Sequence, residues 1–228
     1  MIDHVHDLAS VRDATQRLLA AAARLDNAAV AAPSRLPGWS RGHVLAHVSR
    51  NADALVNVLA GRPMYASAEL RDADIERDAP RPLDVQLRDL EESTARFLEQ
   101  AAVPADWSRT ITMRNGVTDS ASRVPFRRLI EVELHHVDLG IGYELEDLSD
   151  EFTAREIDFL ARRFTGHPDV PALTLTATGG GQWSTGRTEG TPIAVTGPAP
   201  ALLGWLAGRR DGTGLHAGAE PLPALPPL

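Results

Sequence analysis

A two-domain α+β chain, with an N-terminal helical bundle and a small C-terminal α+β domain, is the fold that these 228 residues predict. Three observations predict it. Apolar residues recur at three- and four-residue spacing through four long segments in the first two thirds of the chain. Near residue 149 the texture changes to short, alternating, β-branched runs split by glycine and proline. The composition, 43% hydrophobic and 24% charged, is that of an ordinary globular chain long enough to bury a core. The domains are therefore read as residues 1–148 and 149–228.

The first helix is read from about Leu8 to Leu25, with Val11, Leu18, Leu19 and Ala22 at helical spacing. Leu36-Pro37-Gly38-Trp39-Ser40 reads as a turn whose Ser40 caps the next helix. That helix carries His43 and His47 and runs to about Ala60, where Gly61 and Pro63 stop it. Val44, Val48, Ala52, Leu55 and Leu59 share its apolar face. His43, His47, Asn51 and Val58 form a strip along the edge, as a residue lining a crevice between helices would. A polar connector follows from Met64 to Pro82, in which Ser67 to Asp78 could form a short helix. The third long helix, about Asp84 to Ala102, turns Val85, Leu87, Leu90 and Phe97 inward.

The fourth helix runs from Pro125, at a tolerated first-turn position, to about Gly142. Phe126, Ile130, Leu134, Val137 and Ile141 fall within about 80° of arc at the helical angle of 100° per residue. Leu129, Val132 and Leu139 form a second apolar patch. Between the two lies a polar strip of Arg127, Glu131, His135 and Asp138. A solvated strip would look the same in sequence; the other reading is a strip facing an internal site, as in metal-binding bundles. Beyond it, Ser149 and Asp150 cap a helix through Ile157, Leu160 and Phe164. Leu173–Thr178, Gln182–Thr185 and Pro192–Thr196 read as strands. Gly179-Gly180-Gly181 is a hairpin turn rather than a phosphate loop, since no Gly-Lys motif follows. Pro200 to Gly208 reads as a last helix, and Pro221–Leu228 as an irregular tail.

The formal net charge of −8, with no local basic patch, argues against a nucleic-acid partner. No apolar run approaches the ~20 residues that span a bilayer. The N-terminus shows no basic region followed by an apolar run, so no signal peptide is expected and the cytoplasm is the expected compartment. The expected state is a monomer or weak oligomer. With no Cys, disulfides, thiolate ligands and a cysteine nucleophile are excluded. With no Lys, Schiff-base and P-loop lysine chemistry are excluded, and anions must be held by arginine, metal or backbone amides.

Glu131 and His135, four apart, project from one face of a helix. A further His from a neighbouring helix would complete a His2Glu set, which leaves a coordination position open for catalysis. Such a spacing alone is common on exposed helices. The pair His43 and His47 is a geometric rival, although a single-hydrogen-bond role suits His43 better. His-Glu-x-x-His is absent, and Ser40 and Ser49 lack a nucleophile-elbow context.

Several segments resemble one family. Leu36–Val48 with Asn51-Ala52 resembles the opening metal helix of mycothiol-dependent maleylpyruvate isomerases, members of the DinB-like group of metal-binding four-helix proteins. Pro63-Met64-Tyr65 with Arg71 resembles the segment that follows, Glu131–Gly140 the second metal helix, and Leu203–Arg209 the end of the C-terminal domain. Nothing is carried over for Arg114 to Arg128.

The resemblance implies metal ligands His47, Glu131 and His135. It implies catalytic and cofactor-binding arginines Arg71 and Arg209, with His43, His136 and Asp138 in supporting roles. It implies a divalent metal, Zn2+ being the expected ion, and mycothiol as the thiol. The implied reaction is cis-trans isomerisation of the dicarboxylate maleylpyruvate to fumarylpyruvate in gentisate-type aromatic breakdown. The alternatives are a mycothiol S-transferase acting on electrophiles on the same scaffold and, from another class, a metal-free binding or regulatory protein.

Overall fold

Asp3 opens the first helix: its carboxylate accepts from the backbone amides of Val5 (3.1 Å) and His6 (3.0 Å), satisfying two donors that a helix start leaves orphaned. Helix α1 therefore spans His4–Ala22, starting and ending a turn earlier than the apolar spacing indicated. The computed structural model describes residues 3–103, 105–219 and 221–227; Met1, Ile2 and Leu228, the end of the proline-rich tail, lie outside them. After a short helix α2 (Asn27–Ala31), α3 spans Arg41–Leu59 and is capped by Ser40 as expected. Helix α4 (Ala68–Asp78) occupies the polar connector, α5 spans Leu83–Ala102 and α6 spans Val124–Asp138. Two short strands between them were not foreseen: β1 (Thr110–Thr112) and β2 (Thr118–Ser120) form an antiparallel hairpin. Its turn places Asn115 and Gly116 at positive φ, 59° and 73°, a conformation those two residue types tolerate.

Helices α1, α3, α5 and α6 make the bundle. Contacts run from α1 to α6, from α6 to α3, from α3 to α5 and from α5 back to α1. Val11 and Leu18 of α1, Val44, Val48 and Leu55 of α3, Leu90 and Phe97 of α5, and Val132 of α6 fill its centre. On α5 the inward set differs from the expectation. Val85 and Leu87 are only half-buried, while Gln86 is buried and donates to the carbonyls of Ala79 (2.9 Å) and Arg81 (3.0 Å). Its amide satisfies acceptors that the end of α4 leaves open.

Arg128 of α6 is fully buried, yet no carboxylate meets it directly. Its guanidinium donates to the Val48 carbonyl (2.7 Å), Asn51 Oδ1 (3.0 Å) and Thr94 Oγ1 (3.4 Å), joining α6 to α3 and α5. Burial pulls its pKa down to about 10, which leaves it charged at neutral pH. Arg41, in the first turn of α3, donates to the carbonyls of Leu139 (2.7 Å) and Gly140 (3.5 Å), beyond the C-terminus of α6. These two arginines fasten α3 and α6 at separate points.

Contacts divide the chain between Tyr143 and Glu144, a little before the division read from composition, because the turn Leu145–Asp147 packs on the last helix. In the second unit α7 (Asp150–Phe164) precedes strands β3 (Leu173–Ala177), β4 (Gln182–Thr185) and β5 (Ile193–Gly197), and α8 (Ala199–Leu206) follows. Strand β3 is central, antiparallel to β4 and parallel to β5. Leu173, Leu175 and Ala177 are buried, as alternation along a strand predicts. The three-glycine segment is the β3–β4 turn, with Gly180 and Gly181 at positive φ.

Gly42 of α3 lies close against the C-cap of α4. A Cβ there would lie 2.2 Å from the Ala79 carbonyl oxygen and 3.0 Å from Gln86 Nε2. Gly42→Ala should therefore destabilise the first unit by about 1–3 kcal/mol through overpacking, read as a lower melting temperature. An unchanged melting temperature would show that α4 is not anchored through this contact.

Candidate metal centre

Where α3 and α6 face each other, three side chains meet. His47 Nε2 lies 3.0 Å from Glu131 Oε2, and His135 Nε2 lies 3.2 Å from the same oxygen. Among the described residues these are the three whose ligand atoms gather within 4.8 Å of one another to form a set that could hold a metal. The imidazoles meet edge to face, with centroids 4.7 Å apart. Trp39, in the turn before α3, packs against His47 with centroids 5.5 Å apart. The side chains of His47 and His135 are 8% and 12% exposed, whereas Glu131 keeps 32%, so the cluster opens toward solvent on its carboxylate side.

The donor set fits a divalent ion. Two imidazoles and a carboxylate, about 2.0–2.2 Å from a tetrahedral zinc, would lie roughly 3.4 Å from one another, close to the separations found here. Asp138 Oδ2 lies 2.8 Å from His135 Nδ1 and is itself almost fully buried. A carboxylate accepts only, so Nδ1 carries a proton and Nε2 is turned toward the cluster. This is the orientation that a carboxylate behind a ligating histidine imposes.

The other histidine is held differently. Arg71 Nη2 lies 3.1 Å from His47 Nδ1. Arginine can only donate, so Nδ1 accepts and the ring proton sits on Nε2, directed at Glu131. For Nε2 to ligate a metal, that proton must move to Nδ1, which can then no longer accept from Arg71. Ligation through Nε2 and the Arg71 contact are thus mutually exclusive.

Electrostatics separates the two imidazoles. Burial depresses the pKa of His47, and the nearby His135 and Arg71 cations add to this against the pull of Glu131. Burial also disfavours a charged His135, but the Asp138 and Glu131 hydrogen bonds together outweigh it and raise the pKa. For Glu131, burial would favour the neutral acid. The hydrogen bonds from His135 and His47 overcome that effect and hold the carboxyl well below its usual range. The metal-free cluster is thus a neutral His47, an ionised Glu131 and a readily protonated His135.

The sequence-derived residues fall into place unequally. His47, Glu131 and His135 converge, and Arg71 on α4 touches His47. Arg71 also stands over the Tyr65 ring, 5.9 Å from its centroid, and pairs with Asp72 at 2.6 Å. His43 does not join the set. Its Nδ1 lies 2.7 Å from Ser40 Oγ and completes the cap of α3, while Nε2 approaches Glu76 at 3.3 Å. His136 is buried against Tyr143, centroids 4.1 Å apart. Arg209 belongs to the second unit, follows α8 and donates to the Ala207 carbonyl at 3.2 Å.

Sequence reasoning missed Trp39 as a wall of the site and Arg128 as a tie. The signal for Arg128 was slight: at 100° per residue it falls between His135 of the polar strip and Leu139 of the second apolar flank, where a cation on the border of a solvated strip would look the same.

Comparison with known proteins identifies the family to which the chain belongs. Residues 11–140 match the mycothiol maleylpyruvate isomerase N-terminal domain, and residues 147–227 match the MDMPI C-terminal domain. A crystal structure of a mycothiol-dependent maleylpyruvate isomerase superposes with a TM-score of 0.90 at 25% identity, covering 99% of this chain and 97% of that one. A histidine-to-alanine variant of such an isomerase superposes with a TM-score of 0.89 at 24% identity, with the same coverage. No curated protein sequence matches the chain.

Protons and metal compete for His135. Because its pKa is raised, metal affinity should fall as pH drops through that raised value, whereas His47, being depressed, begins to compete only at lower pH. Asp138→Asn should return the His135 pKa toward normal and weaken metal binding about 10- to 100-fold through lost orientation. Metal titration across a pH series checks both; identical affinities and pH profiles for the two proteins would remove Asp138 from this role.

Proposed function

Because the chain belongs to the mycothiol maleylpyruvate isomerase family, we propose that it converts maleylpyruvate to fumarylpyruvate, with mycothiol as the thiol and Zn2+ as the bound ion. The observation that carries this reading is the convergence of His47, Glu131 and His135 from two helices of the bundle.

A cis double bond does not rotate, so a nucleophile must add, permit rotation about the resulting single bond, and leave. When bound, a divalent ion would hold the sulfur of an external thiol and favour its thiolate, a good nucleophile and a good leaving group. The chain has no Cys, so the sulfur comes from outside it.

The residues do the rest. His47, Glu131 and His135 are the proposed ligands, and three protein ligands leave a position open for the thiol. Asp138 fixes the His135 ring so that Nε2 faces the cluster. To ligate through Nε2, His47 would need its ring proton on Nδ1, and in that tautomer Nδ1 could not accept from Arg71. The Arg71 guanidinium stands beside the centre, where its planar donor fork would suit a carboxylate of the substrate. Trp39 packs its ring against that of His47 and gives the imidazole an apolar neighbour.

The purified protein should hold about one divalent ion, and His47→Ala or His135→Ala should lose it while His43→Ala should not. Maleylpyruvate should be isomerised only when mycothiol is added, with glutathione a poor replacement. Turnover in thiol-free buffer, or equal metal content in wild type and both ligand variants, would overturn the reading. Arg209 enters as a further active-site arginine, for substrate or thiol, on the family resemblance alone. Arg209→Gln should lower kcat/KM roughly 10- to 100-fold if a charge-assisted contact is lost, with metal content unchanged and Arg210→Gln as the neighbouring control. Near-wild-type efficiency would make Arg209 structural.

A further inference from the structure

Beside the metal centre, within the first unit, lies a cavity of about 640 Å3, a size typical of small-ligand sites. Its walls are the end of α3, the segment leading to α4, and the β1–β2 hairpin, the stretch for which the sequence offered no reading. Three arginines line it: Arg62, Arg109 and Arg114. Among its lining residues there is no Asp or Glu, although the chain as a whole carries 31 acidic residues against 23 basic ones.

What these arginines bind sets them apart. On the neighbouring α3–α5 face, Arg50, Arg81 and Arg96 are locked to the carboxylates of Asp53, Asp78 and Asp89. At the cavity the partners are neutral. Arg62 donates to Asn57 Oδ1 (2.9 and 3.1 Å), and Arg109 donates to the carbonyls of Leu59 (2.6 Å) and Asp106 (3.1 Å). The Asp106 carboxylate is itself engaged by the backbone amide (2.9 Å) and hydroxyl (2.6 Å) of Ser108. Arg114, exposed on the hairpin turn, has no carboxylate within ion-pair distance among the described residues. Three positive charges with neutral partners around one concave wall focus a field that attracts an anion.

A chain of side-chain contacts runs from the cavity to the candidate metal cluster. Tyr65 lines it, Arg71 stands over the Tyr65 ring, and Arg71 touches His47. We propose that this cavity is the subsite for the carboxylate of the substrate that lies farther from the reacting double bond, with Arg114 as its principal contact and Arg62 supporting it. The inference rests on the isomerase reading for the identity of that substrate, but not for the anion site itself. Arg71, over the Tyr65 ring, and Arg114, on the cavity wall that Tyr65 also lines, would then grip the two carboxylates of one dicarboxylate, so chain length between them becomes the basis of selection. Arg109, tied to two carbonyls, shapes the wall and adds charge.

The test uses the zinc-loaded full chain without thiol, titrated with heptanedioate, a saturated dicarboxylate with the seven-carbon chain of the substrate, in a calorimeter at low salt. Arg114→Gln should weaken heptanedioate binding at least ten-fold and Arg62→Gln/Arg114→Gln further, with bound metal unchanged; Arg12→Gln, on exposed α1 surface, is the control. In turnover, Arg114→Gln should raise the KM for maleylpyruvate by a similar factor, leaving kcat within about two-fold and the KM for mycothiol unchanged. The inference is overturned if wild type does not bind heptanedioate, if the variants bind it equally well, or if the mycothiol KM rises instead. Should heptanedioate binding depend on Arg114 while wild type fails to isomerise maleylpyruvate with mycothiol, the isomerase reading falls and the anion subsite stands.

Discussion

The apposition of α3 and α6 is the constraint on which the first unit depends, and two arginines set it. Arg41 reaches from the start of α3 to the carbonyls just past the end of α6, and Arg128 reaches from within α6 to the Val48 carbonyl inside α3. A pair of helices joined only by apolar contact can slide by a fraction of a turn at small cost. Two charge-assisted tethers at different heights remove that freedom, because a slide would leave a guanidinium buried without acceptors. His47 is the residue before Val48, so the tether that fixes Val48 also fixes the height of His47 against Glu131 and His135.

With the height fixed, the properties of the cluster follow from its neighbours. A carboxylate shared by two imidazoles stays ionised despite its dense surroundings. Asp138 behind one imidazole and Arg71 behind the other give the two rings opposite tautomers and opposite shifts. The asymmetry matters chemically. The Nε2 of His135 is free to face the cluster as an acceptor, whereas the Nε2 of His47 carries the ring proton and directs it at Glu131.

The placement of arginine shows the same economy. In a lysine-free chain with an acidic excess, most cations on the α3–α5 face are consumed in ion-pair networks that hold the bundle together. Arg62 and Arg109 escape this because an asparagine and backbone carbonyls accept their hydrogen bonds, and Arg114 because it stands exposed on the hairpin turn. A hairpin absent from the helical part of the scaffold supplies both the wall and one of these charges.

The sequence alone determined the four long helices, the three strands of the second unit with their glycine turn, and the cap at Ser40, because each depends on local periodicity or local hydrogen bonding. The helix ends were less legible: α1 begins at the Asp3 cap, which lies outside the apolar repeat. The polar strip of α6 could be seen, but whether it was solvated or internal could not, since both give the same spacing. Only the tertiary structure decided that. It brought His47 from 84 residues away onto Glu131, placed Arg71 behind His47, and excluded His43, which sits one turn from His47 but caps its own helix. Arg128 and the arginine-lined cavity were likewise beyond the sequence. A cation on the border of an apolar flank has meaning only when the distant carbonyl it meets is known, and a cavity belongs to no single segment.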